Sequence, residues 1–202
     1  MRTDWYVFIV AAVCVGVYVY ACIFWCLVVY RRRAGRAPSS FTGNPPLESL
    51  YVIVPLIMVI GLFFVTIAVE TPVDAVAAKP ADRIAVTAFR WSWAFTYPDG
   101  ITTMGTPASP PTLYLPLGQT TEIDLTSSDV THSFWIPAFL FKRDAIPGMR
   151  NTFDLTPDRL GTFRGRCAQF CGIDHALMTF TVKVVPVAAY DRYLASHGTA
   201  AP

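Results

Sequence analysis

Two long apolar stretches open the chain, and short segments of alternating polarity follow. Trp5 to Tyr30 is 26 residues without one charged side chain, and Leu47 to Val69 is 23 residues in which Glu48 is the only charged group. At 1.5 Å per residue these make helices of about 39 and about 34 Å, longer than the ~30 Å hydrocarbon core of a bilayer. The pattern predicts two transmembrane helices, about 5–30 and 47–69. A signal peptide fits the first run poorly, because its apolar core would be about 7 to 15 residues behind a basic segment. Only Arg2 precedes this one.

Between the runs lies RRRAGRAPSSFTGNPP, residues 31–46, with four arginines and no acid. Positive loops stay on the cytoplasmic side, so both termini are expected on the other side. Residues 1–70 then form a hairpin anchor, and the rest of the chain lies outside the cytoplasm. Cys14, Cys22 and Cys26 share the first helix and read as packing, since cysteine behaves there as a small apolar residue. Pro55 reads as a tolerated kink in the second helix.

Residues 71–82, TPVDAVAAKPAD, read as a linker. Beyond them come RIAVTAFRWSWAFTY, TLYLPL, TTEIDLTS, HSFWIPAF, NTFDLTP, GTFRGRC and MTFTVKVVPV, parted by PDG, SPP, LGQ and PGM. Short β-branched and aromatic segments between turn residues predict an all-β sandwich or barrel over 83–187. The tail, 188–202, is expected to be a short helix or a frayed end with His197 exposed and unliganded. No repeat or long low-complexity segment interrupts this order.

Composition agrees with the anchor. The chain is 53% hydrophobic and 15% charged, too apolar for an ordinary soluble domain, and its net charge of +2 makes no case for nucleic acid.

The chemistry concentrates in GRCAQFCGIDHALM, where Cys167, Cys171, His175 and Met178 fall within twelve residues. A disulfide would use both cysteines outside the cytoplasm but would explain neither His175 nor Met178. Zinc could take Cys167, Cys171, His175 and the upstream His132, yet these histidines are 43 residues apart, whereas zinc sites favour close pairs. Copper suits the whole set. A blue-copper site uses one Cys, two His and a weak axial Met, with one His from an earlier strand. Adding a second thiolate allows two bridged coppers, each with one histidine, Met178 serving one and a backbone carbonyl the other. Such a centre transfers electrons and makes no bonds.

The two-helix anchor, then VTHSFWIP, KRDAIPG and C-x3-C-x3-H-x2-M in order, resembles subunit II of the haem-copper respiratory oxidases over nearly the whole chain. The resemblance implies a cupredoxin-like β-sandwich and a dinuclear copper A centre. Its ligands would be His132, Cys167, Cys171, His175, Met178 and the backbone carbonyl of Gln169. Many relatives carry glutamate at the Gln169 position, where its side chain reaches a magnesium ion at the boundary with subunit I. A neutral amide is a poorer ligand for a hard cation, so that magnesium site is in doubt.

The same resemblance assigns roles outside the copper loop. Trp91, the first tryptophan of FRWSWAFTY, matches the residue where electrons enter, while Trp93 reads as core. Asp129 matches a docking position for a cationic cytochrome c. With Asp99, Glu122 and Asp124 it makes a modest acidic set, for which solvation is nearly as good an explanation. Glu48, seven residues before Pro55, matches the mouth of a proton channel into subunit I, although an acid at a helix N-terminus also complements the dipole. Asp144 in KRDAIPG matches the outer subunit boundary.

The function expected is therefore the copper A subunit of a cytochrome c oxidase. It would take electrons from cytochrome c and pass them to haem in subunit I, where oxygen reduction drives proton pumping. Subunit I, with haem and copper B, and subunit III are the expected partners in the membrane. No C-x-x-C-H occurs, so the donor is a separate protein. A copper A subunit of a nitric oxide reductase and a membrane-tethered copper-delivery protein are the alternatives. The short chain and spare loops favour a bacterial plasma membrane over a mitochondrial inner membrane.

Overall fold

The structure, a computed structural model, describes residues 2–31, 35 and 41–197, so Arg32, Arg33 and Arg36 of the basic loop lie outside the described residues. The chain divides into two compact units, 1–72 and 73–202.

The first unit holds α1 (Arg2–Val29) and most of α2 (Pro45–Asp74). Trp5–Val29 and Pro45–Thr71 are 25 and 27 residues long and apolar enough to cross a membrane, and their large side chains point outward almost throughout. Both helices differ from the expected 5–30 and 47–69. Polarity marks where lipid ends, but a helix continues while its backbone groups can bond internally. The second helix starts early because Asn44 caps it. The Asn44 side chain accepts the Leu47 N–H at 3.3 Å, and Pro45 and Pro46 fill first-turn positions that need no donor. At the other end α2 continues to Asp74 and takes up the first residues of the expected linker.

The second unit is a sandwich of two five-stranded sheets. One has the order β3 (Thr102–Met104), β2 (Ser92–Thr96), β1 (Asp82–Phe89), β5 (Thr121–Ser127), β8 (Asn151–Leu155). The other has the order β4 (Thr112–Pro116), β10 (Thr179–Val185), β9 (Gly161–Cys167), β6 (His132–Ile136), β7 (Phe141–Ala145). The β1–β5 and β4–β10 pairs are parallel and the rest antiparallel. Every second residue turns inward, as in Ile84, Val86 and Ala88 of β1 and Phe180, Val182 and Val184 of β10. Each large apolar side chain so buried contributes about 1.5–3 kcal/mol.

Aromatic rings fill the centre. Phe134 stacks on Phe180 with centroids 4.7 Å apart, and Trp93 meets them edge-on at 5.6 and 5.3 Å. Gly165 lies beneath this stack, and a Cβ there would stand 2.1 Å from two carbons of the Phe180 ring. The terminal helix α3 (Val187–His197) packs Tyr190 and Tyr193 against Tyr97, and Tyr114 stacks on Tyr193 at 4.1 Å. His197 is exposed, and among the described residues its hydrogen bonds stay within its own helix, through Ser196 and the Tyr193 carbonyl.

Candidate metal centre

The site forms where β6 and β9 reach one end of the sandwich. His132 opens β6, antiparallel to β7 and β9, and is fully buried. Cys167 closes β9; its N–H donates to the Met178 carbonyl at 2.9 Å, and the next N–H, from Ala168, donates to Ser133 at 3.0 Å. These two bonds bring both ends of the 167–178 loop to the strand that carries His132. Within the loop Gly172 has φ +125°, a conformation that favours glycine, and a one-turn 3-10 helix, His175–Leu177, carries His175.

The donor atoms converge as a chain of neighbours. Cys167 Sγ lies 3.9 Å from His132 Nδ1, 3.9 Å from Cys171 Sγ and 3.2 Å from the Gln169 carbonyl oxygen. Cys171 Sγ lies 3.5 Å from His175 Nδ1 and 3.7 Å from Met178 Sδ. Every residue expected to ligate, including the Gln169 carbonyl, is therefore in one cluster. Both cysteines are free thiols, and the His132, Cys167 and Cys171 donors lie within 4.8 Å of one another. Thiol, thioether and imidazole together make a soft site, suited to copper or zinc and unsuited to magnesium or calcium.

The thiols are unlike each other. Burial alone would raise the Cys167 pKa, but hydrogen bonding from His132, Ser133 and Gln169 outweighs it and brings the value down to about 7. Burial and the neighbouring charge of Cys167 push Cys171 up to about 12. The pair gives up one proton readily and the second reluctantly, and a metal that binds thiolates displaces both.

The other expected residues are placed as follows. Trp91 is half-buried in the β1–β2 turn and its Nε1–H donates to the Cys171 carbonyl at 3.2 Å. The indole packs so closely on Gly172 that a Cβ there would stand 3.0 Å from Trp91 Nε1. Trp93 is core, as expected. Asp144 is exposed on β7, with its carbonyl accepting from the Asn151 side chain. Glu48 belongs to the helical anchor, where its Oε1 accepts the Asn44 N–H at 2.9 Å.

The acidic set is largely occupied internally. Glu122 is buried and paired with Arg83 at 3.2 Å, and Asp124 pairs with Arg150 at 3.6 Å. Asp129 bonds His132 Nε2 at 2.8 Å and Arg90 Nε at 3.1 Å. Burial would raise the Asp129 pKa, but these bonds and the Val130 and Arg90 N–H groups hold it below the usual carboxylate range. His132 moves up, because its bonds with Cys167 and Asp129 outweigh its burial. The contacts of Arg90 and Asp129 with the site were not expected from the sequence. An acid three residues before a candidate ligand histidine that opens a strand was the available signal.

Comparison with known proteins decides the family. Residues 108–185 match the family model described as cytochrome c oxidase subunit II, periplasmic domain. The probable cytochrome c oxidase subunit 2 of Streptomyces avermitilis is 38% identical over an alignment covering 91% of this chain and 70% of that protein. The chain belongs to the cytochrome c oxidase subunit II family. The Streptomyces coelicolor relative is 36% identical over the same shares of the two chains. The periplasmic domain of subunit II of cytochrome oxidase from Bradyrhizobium japonicum superposes with a TM-score of 0.55 at 27% identity, over 60% of this chain and 96% of that one. As a subunit II, the chain is a component of a haem-copper cytochrome c oxidase, an oxidoreductase complex, and partners other oxidase subunits. The transmembrane-capable helices and the sandwich beyond them fit a membrane protein with its β-domain outside the cytoplasm.

Proposed function

We propose that the cluster holds a dinuclear copper A centre and that the chain is the subunit through which a terminal cytochrome c oxidase accepts electrons. The observation that carries this is the convergence of donors from β6, β9 and the 167–178 loop, with neighbouring donor atoms 3.2 to 3.9 Å apart. Cys167, Cys171, His132 and His175 would hold the copper, with Met178 and the Gln169 carbonyl as weaker donors. When bound, the copper pair supplies a one-electron relay with one unpaired electron shared over both ions. The protein keeps Cys167, Cys171, His132 and Met178 buried, which excludes water, and sets His132 against the Trp93 ring. Gln169 in place of a carboxylate argues against a magnesium site beside it.

Trp91 is the proposed point where electrons enter, because a half-buried indole there is one hydrogen bond from the Cys171 backbone. The proposed donor is reduced cytochrome c, and the acceptor is haem in subunit I, which with copper B reduces oxygen and drives proton pumping; subunit III completes the membrane partners. Phe170, Ile173 and Leu177 are exposed around the loop and suit apolar contact with a partner. With most of the acidic set paired internally, charge steering of a cationic donor would be weak. Asp144 would line the outer subunit boundary. A copper-delivery role is disfavoured, since delivery needs an exchangeable site and four of the donors, His132, Cys167, Cys171 and Met178, are buried. The proposed location is a bacterial plasma membrane, with both termini outside the cytoplasm.

Metal analysis and electron paramagnetic resonance of the full chain test the reading. Two coppers per chain sharing one unpaired electron are expected; one zinc, or one copper with an ordinary single-site spectrum, would sink it. Oxygen uptake by the assembled complex with reduced cytochrome c separates it from a nitric oxide reductase. For Glu48, proposed at the mouth of a proton channel, Glu48→Gln should slow turnover with the copper spectrum intact. Unchanged turnover would leave capping as its whole role.

A further inference from the structure

The Asp129 carboxylate bonds outward with one oxygen and inward with the other. Its Oδ2 accepts the Arg90 backbone N–H at 2.8 Å and the Arg90 Nε–H at 3.1 Å. Its Oδ1 accepts the Val130 N–H at 2.6 Å and meets His132 Nε2 at 2.8 Å. Nε2 and Nδ1 lie on opposite edges of an imidazole, so committing Nε2 to Asp129 turns Nδ1 toward the thiols, 3.9 Å from Cys167 Sγ. The ring is fully buried, so little water competes for that bond. Arg90 is followed by Trp91, which donates to Cys171. One turn between two strands therefore grips both the strand-borne histidine and the cysteine loop.

We propose that Asp129, braced by Arg90, is the positioning residue of His132: it fixes the ring proton on Nε2 and aims Nδ1 at the metal site. This rests on the reading of the cluster as a copper centre, and it replaces donor docking as the chief work of Asp129. Its side chain is only 21% exposed, and its charge faces Arg90 and His132. Among the described residues no carboxylate bonds the His175 ring, which meets Cys171 Sγ at 3.5 Å and the Phe170 ring at 5.8 Å. The two histidines are therefore unequal donors, since a carboxylate on the far nitrogen makes an imidazole more basic.

The test uses the full chain in detergent with nitrogen-15 histidine, metal-free and copper-loaded, comparing wild type, Asp129→Ala and Asp129→Asn. In the metal-free chain the His132 Nε2 proton should exchange slowly, about tenfold faster in Asp129→Ala, and near the wild-type rate in Asp129→Asn, whose amide oxygen can still accept it. On loading, copper affinity should fall about 10–100-fold in Asp129→Ala and partly recover in Asp129→Asn. Unchanged ring-proton exchange and unchanged affinity in Asp129→Ala would overturn the proposal. If Asp129→Ala does not fold, Asp129→Leu, which matches the carboxylate in size but cannot accept the ring proton, takes its place: faster ring-proton exchange than wild type supports the proposal, and wild-type exchange with wild-type copper affinity overturns it. If the wild-type chain takes up no copper, the copper reading falls, while metal-free exchange still decides whether Asp129 positions His132.

Discussion

The two halves of the site are held in different ways. His132 sits on a strand, fully buried, bonded to Asp129 and backed by Trp93 at 6.3 Å. His175 sits in a single 3-10 turn, half-buried, beside the exposed Phe170 and Ile173. Strand pairing and a packed aromatic core make the first half stiff, because moving His132 would break the sheet ladder and open a void. The second half is tied down at the ends of its loop and by Trp91, so it can adjust to a metal or a partner. The labour is divided: the strand sets the geometry, and the loop completes the donor set and faces outward.

The largest effect is expected from removing a thiol from each half of the site. Cys167→Ser and Cys171→Ser should both abolish the shared-electron signal completely while circular dichroism still reports a folded β-domain, since neither thiol holds a strand in register. A surviving signal in either variant would show that the two halves do not share a centre. Next in size is Gly165→Ala, which drives a methyl into the Phe180 ring behind the strand-borne half. Overpacking of this kind should cost about 3 kcal/mol in thermal or denaturant unfolding and disturb the site only through the core.

Alkaline titration separates the site from the far end of the sandwich. Tyr97 and Tyr190 are buried, and burial raises both phenols above their ordinary value, helped in Tyr190 by its bond with Asp82. Below pH 10 both states keep these protons. Above it the unfolded chain loses them while the folded chain keeps them, so stability falls as pH rises. The expected loss is about 1.4 kcal/mol per tyrosine at pH 11, and Tyr97→Phe should remove its share. Denaturant midpoints should fall while the metal spectrum stays unchanged up to unfolding. A spectrum that changes first would place the weak point in the loop.

The smallest effect expected is at Gly172. Gly172→Ala meets both an unfavourable φ and the Trp91 indole, yet it lies in the adjustable half. It should cost only about 1 kcal/mol of stability, with the Trp91–Cys171 bond weakened and electron uptake slowed. A loss as large as that of Gly165→Ala would show the loop to be as stiff as the strand.

Much of this was legible in the sequence, and unevenly so. The anchor helices were plain, because uninterrupted apolar runs leave a helix as the way to satisfy backbone groups in lipid, though their true ends were not. Six of the seven segments predicted as extended each contain one strand. RIAVTAFRWSWAFTY, taken as one, is the β1–β2 hairpin turning at Arg90 and Trp91, where neither glycine nor proline marks a turn. Strands β3 and β7 were not expected either, since TTM is too short to show a period and KRDA carries three charges. They exist because neighbouring strands offer them an edge to pair with.

By itself the sequence determined which donors are present and that the 167–178 loop is too crowded with them for packing alone. Those residues are neighbours along the chain, so their proximity needs no fold. His132 was expected among them from the resemblance, but the tertiary structure brings it there from 35 residues before Cys167, and only that structure decided that the β1–β2 turn grips both halves and that Asp129 faces a histidine more than it faces solvent. Such contacts depend on strand register and on which face each side chain takes, and both emerge when the two sheets close on a shared core.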